Sequence, residues 1–135
     1  MRRMLALACL PLSAAALAAC GTTTTSTSKF SGAEKEVAQT VADLQSDVTG
    51  GEQHKICTKD LAAGVVERLG GTKACEAAVK EQLSEIDSTE MEVQSVAVKG
   101  STATAKVKTV YAGKKQIRTL TLNKEGDRWK IASLQ

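Results

Sequence analysis

Three short turns near the C-terminus divide that part of the chain into four strand-like segments, and this feature constrains the fold most. The segments are rich in Val, Thr and Ile, and they are Met91–Lys99, Thr102–Tyr111, Lys115–Asn123 and Arg128–Leu134. The turns between them are Gly100-Ser101, Ala112-Gly113 and Glu125-Gly126-Asp127. Connections this short join only antiparallel neighbours. The pattern therefore predicts a four-stranded antiparallel meander, with a bulge where the alternation breaks between Val93 and Val96.

The segment before these strands has helical periodicity instead. Apolar residues recur at helical spacing at Phe30, Val37, Val41, Leu44 and Val48. Ser31 and Glu34 form a capping-box pattern in front of them, and Gly50-Gly51 ends this helix. A second helix is predicted from Lys59 to Leu69, capped by Thr58. A third helix is predicted after Thr72, which can cap it, with an apolar face that carries Cys75, Val79, Leu83 and Ile86.

Neither the helices nor the sheet can bury their apolar faces alone. The sequence therefore predicts an α+β domain in which about three N-terminal helices cover one face of the four-stranded antiparallel sheet. A chain of 135 residues has room for one such domain and too few residues for two.

The first residues have the parts of an export signal in the expected order. Arg2 and Arg3 are followed by an apolar stretch from Met4 to Leu17, which is too short for a comfortable membrane span. Leu17-Ala18-Ala19-Cys20, followed by Gly21, resembles the lipobox of bacterial lipoproteins. The resemblance implies cleavage after Ala19 and lipidation of Cys20. An ordinary signal peptide with a chance cysteine is the alternative.

The predicted organisation has three parts. Residues 1–19 are a lipoprotein signal peptide, residues 20–29 are the lipidated cysteine with a Thr/Ser-rich tether, and residues 30–135 are the domain. The tether has no apolar residue and cannot join a core. We therefore expect the protein on the extracytoplasmic side of a cell membrane, with lipid on Cys20 as its anchor.

Composition argues against nucleic acid as a partner. Phe30, Tyr111 and Trp129 are the only aromatic residues, which is a poor supply for stacking on bases. The formal net charge of +3 falls to +1 once Arg2 and Arg3 leave with the signal peptide. A strongly basic surface is thus not indicated.

The last stretch, from Thr121 to Ile131, places a polar glycine turn between a strand and Trp129-Lys130-Ile131. It resembles the closing hairpin of nuclear-transport-factor-2-like (NTF2-like, also SnoaL-like or cystatin-like) domains. The segment around Gly51, Cys57 and Leu61 is similar to the second-helix region of exported members. The resemblance implies a cone, in which a curved sheet wraps around a long first helix and leaves a pocket at its wide end. The early strand that many members place between the helices is not visible here.

Two of the four cysteines remain after export. Cys9 leaves with the signal peptide and Cys20 takes the lipid, so Cys57 and Cys75 form an even pair in an oxidising compartment. We predict a disulfide between them. A zinc site is the first alternative, but His54 is the only imidazole available. A catalytic thiol is the second, but no base is oriented onto either sulfur.

Other candidate residues point weakly to chemistry. His54 could act as a general base with Asp60 or Glu52, but the polar residues around it in the sequence indicate a solvated loop. Tyr111 lies at a strand end, and Asp43 and Asp47 flank the apolar stripe of the first helix on the side expected to face solvent. Lysines and an arginine gather on the second and third strands, as a basic patch or as the wet face of the sheet: Lys106, Lys108, Lys114, Lys115 and Arg118.

The sequence therefore favours a non-catalytic binding or interaction module at the cell envelope, with no catalytic residue, metal or cofactor assigned. The expected partners are the membrane and either a small apolar ligand or an envelope protein. The alternative is an isomerase- or dehydratase-like enzyme of the same superfamily. A buried, paired carboxylate in a deep pocket would favour the enzyme, and a closed or purely apolar interior would favour the module.

Overall fold

The computed structural model describes residues 26–85, 89–111 and 113–135, with Thr89 and Tyr111 described only in their backbone. Cys20, the signal peptide and most of the tether lie outside these residues, as do Ile86 and Ala112. The helices are α1 (Gly32–Thr49), α2 (Gln53–Lys55), a π-helix (Ile56–Asp60), α3 (Ala63–Arg68) and α4 (Thr72–Ser84). The strands are β1 (Thr89–Lys99), β2 (Thr102–Tyr111), β3 (Lys114–Glu125) and β4 (Arg128–Leu134).

The four strands form one antiparallel sheet in the order β1-β2-β3-β4, which confirms the predicted meander. The register of β1 against β2 shifts between Val93 and Ser95, where the sequence predicted a bulge. A second shift, between Thr121 and Leu122, lies in the pairing of β3 with β4. The predicted α+β class is confirmed, with helices packed on a curved four-stranded antiparallel sheet.

The core lies between α1 and the inner face of the sheet. Val37 and Val41 of α1 are fully buried against Val93, Val107 and Leu122 of the sheet. Alternate residues of each strand point inward, as the pleat requires. Burial of these aliphatic side chains supplies most of the stabilisation, at roughly 25 cal/mol per Å² of apolar area.

The single second helix predicted for Lys59–Leu69 is wrong. The π-helix ends at Asp60, and Leu61 has extended backbone angles and forms a parallel bridge to Ile131 of β4. The Ala62 amide donates to the Ile131 carbonyl at 2.8 Å, so the chain must leave helical geometry there. Pairing with the sheet outweighs the helical periodicity of this segment, and α3 begins only at Ala63.

The predicted capping hydrogen bonds do not form. Ser31 is the N-cap residue of α1, as predicted, but its side chain makes no capping hydrogen bond. Thr58 lies inside the π-helix and donates to the His54 carbonyl at 2.7 Å. Gly71, not Thr72, precedes α4, with φ of 93°, a value that favours glycine because it lacks a Cβ. Within the described ranges, no helix is long and apolar enough to span a bilayer.

Candidate functional site

A cleft of about 480 Å³ opens between the first half of α1, the end of the π-helix and the turn that joins β3 to β4. Its wall is formed by Gly32, Lys35, Glu36, Gln39, Thr40, Asp43, Lys59, Asp60, Asp127, Arg128 and Trp129. Most of these side chains are polar or charged. The cleft is therefore separate from the apolar interior between α1 and the sheet.

Asp60 is the buried acid of this cleft. Asp60 is only 1% exposed, and its Oδ2 has no hydrogen-bond partner among the described residues. Asp47 of α1 lies directly behind it and is 7% exposed, with an Oδ2 that likewise lacks a hydrogen bond within the described ranges. Buried carboxylate oxygens without donors are costly, so these two groups are candidates for a functional role.

Two lysines neutralise part of this acidic cluster. The Lys59 ammonium lies 3.2 Å from Asp43 Oδ2 and 3.9 Å from Asp47 Oδ2. The Lys55 ammonium lies 4.0 Å from Asp47 Oδ1. Burial lowers the pKa of Lys59, but the Asp43 carboxylate outweighs it and leaves this pKa raised. The two lysines pair with Asp43 and Asp47, and neither ammonium group lies within 4.0 Å of Asp60.

Asp60 consequently holds its proton near neutral pH. The pKa of Asp60 is raised from 3.8 to about 7, mainly by burial and also by the neighbouring Asp47 carboxylate, while Lys59 opposes the rise. Once protonated, Asp60 can donate a hydrogen bond to the Asp47 carboxylate, which adds to the same effect. When Asp60 is ionised, its Oδ2 has no donor among the described residues.

Trp129 forms the opposite side of the cleft and is held by α1. Its indole Nε1 donates to Glu36 Oε2 at 3.2 Å, and the Thr40 hydroxyl donates to the Trp129 carbonyl at 3.4 Å. The Lys124 ammonium lies 3.6 Å from the same Glu36 oxygen and 5.6 Å from the centre of the indole ring. These contacts fix β4 against α1 and so set the width of the cleft.

The arrangement can bind donors and hold a proton. The buried wall is rich in acceptor oxygens, and Asp60 changes its charge near neutral pH. Across the described residues, no group of three or more His, Cys, Asp or Glu side chains is arranged to hold a metal ion.

A family model described as "Putative lumazine-binding" matches residues 48–134. This chain belongs to that lumazine-binding-like family. The match includes the π-helix, α4 and the whole sheet, and it contributes Lys59, Asp60 and Trp129 to the cleft. The part of the cleft wall that lies on α1, Gly32 to Asp43, precedes the matched range.

Solved structures give the fold. The NTF2-type chain Rd1NTF2_05, in a five-substitution variant, aligns over 74% of this chain and 96% of its own with a TM-score of 0.51 and 12% identity. This likeness supports the NTF2-like fold expected from the closing hairpin. A de novo designed protein with a curved β-sheet aligns over 47% of this chain and 61% of its own, at 16% identity and a TM-score of 0.39. No curated protein matches the chain.

The cysteine pair forms the disulfide that the sequence predicted. Cys57 and Cys75 are joined with a Cα–Cα distance of 6.0 Å, and both residues are buried. The bond links the π-helix, which carries Asp60, to α4. In this family member the disulfide therefore supports the wall of the cleft from behind.

His54 is not part of the site. Its ring Nδ1 lies 2.6 Å from Glu76 Oε1, and its side chain is 73% exposed. His54 is therefore not paired with Asp60 or Glu52 as a general base would need to be. The solvated position expected for His54 is the one that the structure shows.

Asp47 is the main correction among the sequence-predicted positions. The expectation that Asp43 and Asp47 face solvent is wrong for Asp47, which is buried, and Asp43 is half-buried in the cleft wall. The π-helix packs over this flank of α1 and removes it from water. Asp43 and Asp47 lie four residues apart on one flank of α1, and this spacing was a sequence signal for a paired site. Asp60 comes from another element, and no local sequence pattern marks it.

The remaining predicted features lie elsewhere. The side chain of Tyr111 and the lipidation residue Cys20 lie outside what the structure describes. The basic residues of β2 and β3 are largely exposed, and Lys108 lies 3.7 Å from Glu92 on β1. The inward aliphatic residues expected to surround an apolar ligand are core or partly buried, and none of them lines the cleft.

Proposed function

We propose that this protein is an exported lipoprotein whose domain binds a small molecule in the cleft between α1, the π-helix and the β3–β4 turn. The observation that carries the proposal is the buried Asp60 carboxyl group, which stands in the cleft wall with an unpaired oxygen. The description of the lumazine-binding-like family supports a small ligand. A cleft of about 480 Å³ is within the usual range for such ligands.

Membrane anchoring is the second part of the proposal. It is supported by the lipobox-like residues Leu17 to Cys20 and by the apolar stretch before them. With lipid on Cys20 and a short polar tether, the domain would stand just outside the membrane. A ligand-binding domain in that position suits the capture of a small molecule at the cell envelope.

Lumazine is the first probe for the binding claim. Trp129 is the only tryptophan and lies in the cleft wall, so its fluorescence should change when lumazine binds. Gln39→Phe places a ring in the cleft from an exposed position of α1 and should weaken binding at least tenfold. Ser46→Phe adds the same ring to the same helix outside the cleft and should bind like the wild type. Equal binding of lumazine by both variants would refute this cleft as the binding site, and absent binding would exclude lumazine as the ligand.

The paired carboxyls Asp47 and Asp60 favour a second candidate, an acid–base enzyme. A buried acid that exchanges its proton near pH 7 is the kind of group that such catalysis uses. We place it second because the family description names binding. Isomerase, dehydratase and hydrolase substrates test it, since turnover should disappear in Asp60→Asn and persist in Glu67→Gln, which removes an exposed carboxylate seven residues away.

A further inference from the structure

The charges around Asp60 do not balance. Three carboxylates come together here, Asp43, Asp47 and Asp60, and two ammonium groups, Lys55 and Lys59, lie within 4.0 Å of them. Both lysines contact Asp47, and Lys59 also contacts Asp43. Lys55 also lies 3.4 Å from Glu52, a fourth carboxylate, so an ionised Asp60, the most deeply buried of these acids, would be a negative charge with no cation within 4.0 Å.

The other charged groups around the π-helix are already engaged or lie across the cleft. Lys130 of β4 donates to the Thr58 carbonyl at 3.0 Å and lies 3.8 Å from Glu125. Glu76 of α4 contacts His54 of α2 at 2.6 Å. Arg128 lies in the cleft wall on an exposed stretch of β4. None of these cations is paired with Asp60.

We infer that the cleft takes a small organic cation with N–H donors, an ammonium or amidinium group, that pairs with the Asp60 carboxylate. The inference rests on the proposed function and names the ligand class for the same cleft. Asp60 Oδ2 is a buried acceptor that lacks a donor, and a cationic N–H group supplies both the hydrogen bond and the missing charge. A neutral N–H donor would supply the hydrogen bond but not the positive charge.

Pairing of the cation with Asp60 makes the binding affinity rise with pH. In the free protein, Asp60 is protonated below pH 7 and ionised above it. A bound cation favours the ionised Asp60 carboxylate, so below pH 7 each ligand that binds releases a proton from Asp60. Affinity should therefore rise up to about tenfold per pH unit between pH 5 and 7, and level off above pH 8.

Benzamidine, benzamide and benzoate are suitable probes because they share one planar shape and differ in charge. Calorimetry on the whole domain at pH 8 should show benzamidine binding at least tenfold more tightly than benzamide, with no binding of benzoate. Asp60→Asn should remove the preference for benzamidine and the dependence on pH. Glu67→Gln, an exposed carboxylate outside the cleft, should retain both. Measurements at pH 6 in buffers with different protonation enthalpies should show close to one proton released per benzamidine.

Each outcome separates this inference from the proposed function. Equal affinity for benzamidine and benzamide, or an Asp60→Asn variant that keeps the preference, overturns the inference. If lumazine still binds in the cleft while benzamidine does not, the inference fails and the proposed function stands. If benzamidine binds through Asp60 while lumazine does not bind, the inference stands and lumazine is excluded as the ligand.

Discussion

At the scale of the residue, Asp60 owes its chemistry to neighbours that are distant in the sequence. The residues next to it, Lys59 and Leu61, suggest only a charged helix end. Burial under α1 and contact with Asp47 turn the same carboxyl group into a buried acid. An aspartate in this position destabilises the fold when it ionises, so its presence argues for a role in binding.

The destabilisation of the fold by ionised Asp60 predicts how the free energy of unfolding depends on pH. The pKa of Asp60 is higher in the folded chain, at about 7, than in the unfolded chain, where it is near 3.8. Between these values the folded state holds a proton that the unfolded state has lost, so this contribution to stability falls as pH rises from 4 to 7. Asp60→Asn should stabilise the protein by about 2–4 kcal/mol at pH 8 and by much less at pH 4.5.

Urea unfolding at several pH values checks this prediction. Glu67→Gln is the matched control and should follow the wild-type pH profile, because Glu67 is exposed. A destabilised Asp60→Asn protein at pH 8 would show that ionised Asp60 is stabilised by contacts other than those described.

Trp129 is the second residue whose role can be measured alone. It lies two residues before Ile131 on β4, so both side chains point to the same face of the sheet, and Trp129 is only 4% exposed. Trp129→Ala should lower the free energy of unfolding by about 3–5 kcal/mol, because it removes a large buried ring and its contact with Glu36. Leu134→Ala, at an exposed position of the same strand, should change stability by less than about 0.5 kcal/mol. A native emission spectrum like that of tryptophan in water would contradict the burial.

At the scale of the element, the π-helix determines where the site is formed. The Leu61 amide donates to the Ile56 carbonyl at 2.9 Å, which widens the last turn before the chain joins β4. Asp60 is therefore the last helical residue, placed between α1 and β4. Wide turns of this kind often occur at functional sites, and here the turn carries the buried acid.

The disulfide should hold this element in place. Cys75 is the only fully buried residue of α4, so the bond to Cys57 is the main fixed contact of that helix. Replacing both cysteines by serine should lower stability by about 3 kcal/mol, in line with a closed loop of 18 residues. Hydrogen exchange should rise in α4 more than in α1. Equal exchange in the two helices would mean that α4 is held by its half-buried face instead.

At the scale of the whole molecule, the sequence was most informative where structure is local. Strands joined by short turns have one topology available, so β1 to β4 and the bulge after Val93 could be predicted. The pairing of Cys57 with Cys75 followed from export and an even count. The helical break at Leu61 could not be predicted, because it depends on pairing with Ile131, seventy residues later.

The same limit explains why the site was missed. Asp43 and Asp47 were visible as acids on one flank of α1, but their burial depends on the π-helix that covers them. The sequence left open whether inward aliphatic residues such as Val37 and Leu122 line an apolar cavity or form the core. These two residues are fully buried in the core, and the open cleft is formed mainly by polar residues of α1, the π-helix and the β3–β4 turn.

Anchoring is a property of the full chain and has its own test. Cys20→Ser should release the protein from membranes, because lipid can no longer be attached to the thiol. Cys9→Ser is the matched control, since Cys9 would leave with the proposed signal peptide, and this variant should remain in the membrane fraction. If the Cys20→Ser protein partitions with membranes as the wild type does, the lipoprotein proposal is wrong.

The most direct test of ligand binding in the cleft is an NMR titration of the labelled domain with lumazine. We predict that the amide shifts that change most belong to the two sides of the cleft, around Gln39 on α1, Asp60 on the π-helix and Arg128 on β4. The centre of the sheet, around Ala105 and Leu122, should change little. Shifts concentrated at the sheet centre, or no saturable shifts at any position, would contradict a binding site in this cleft.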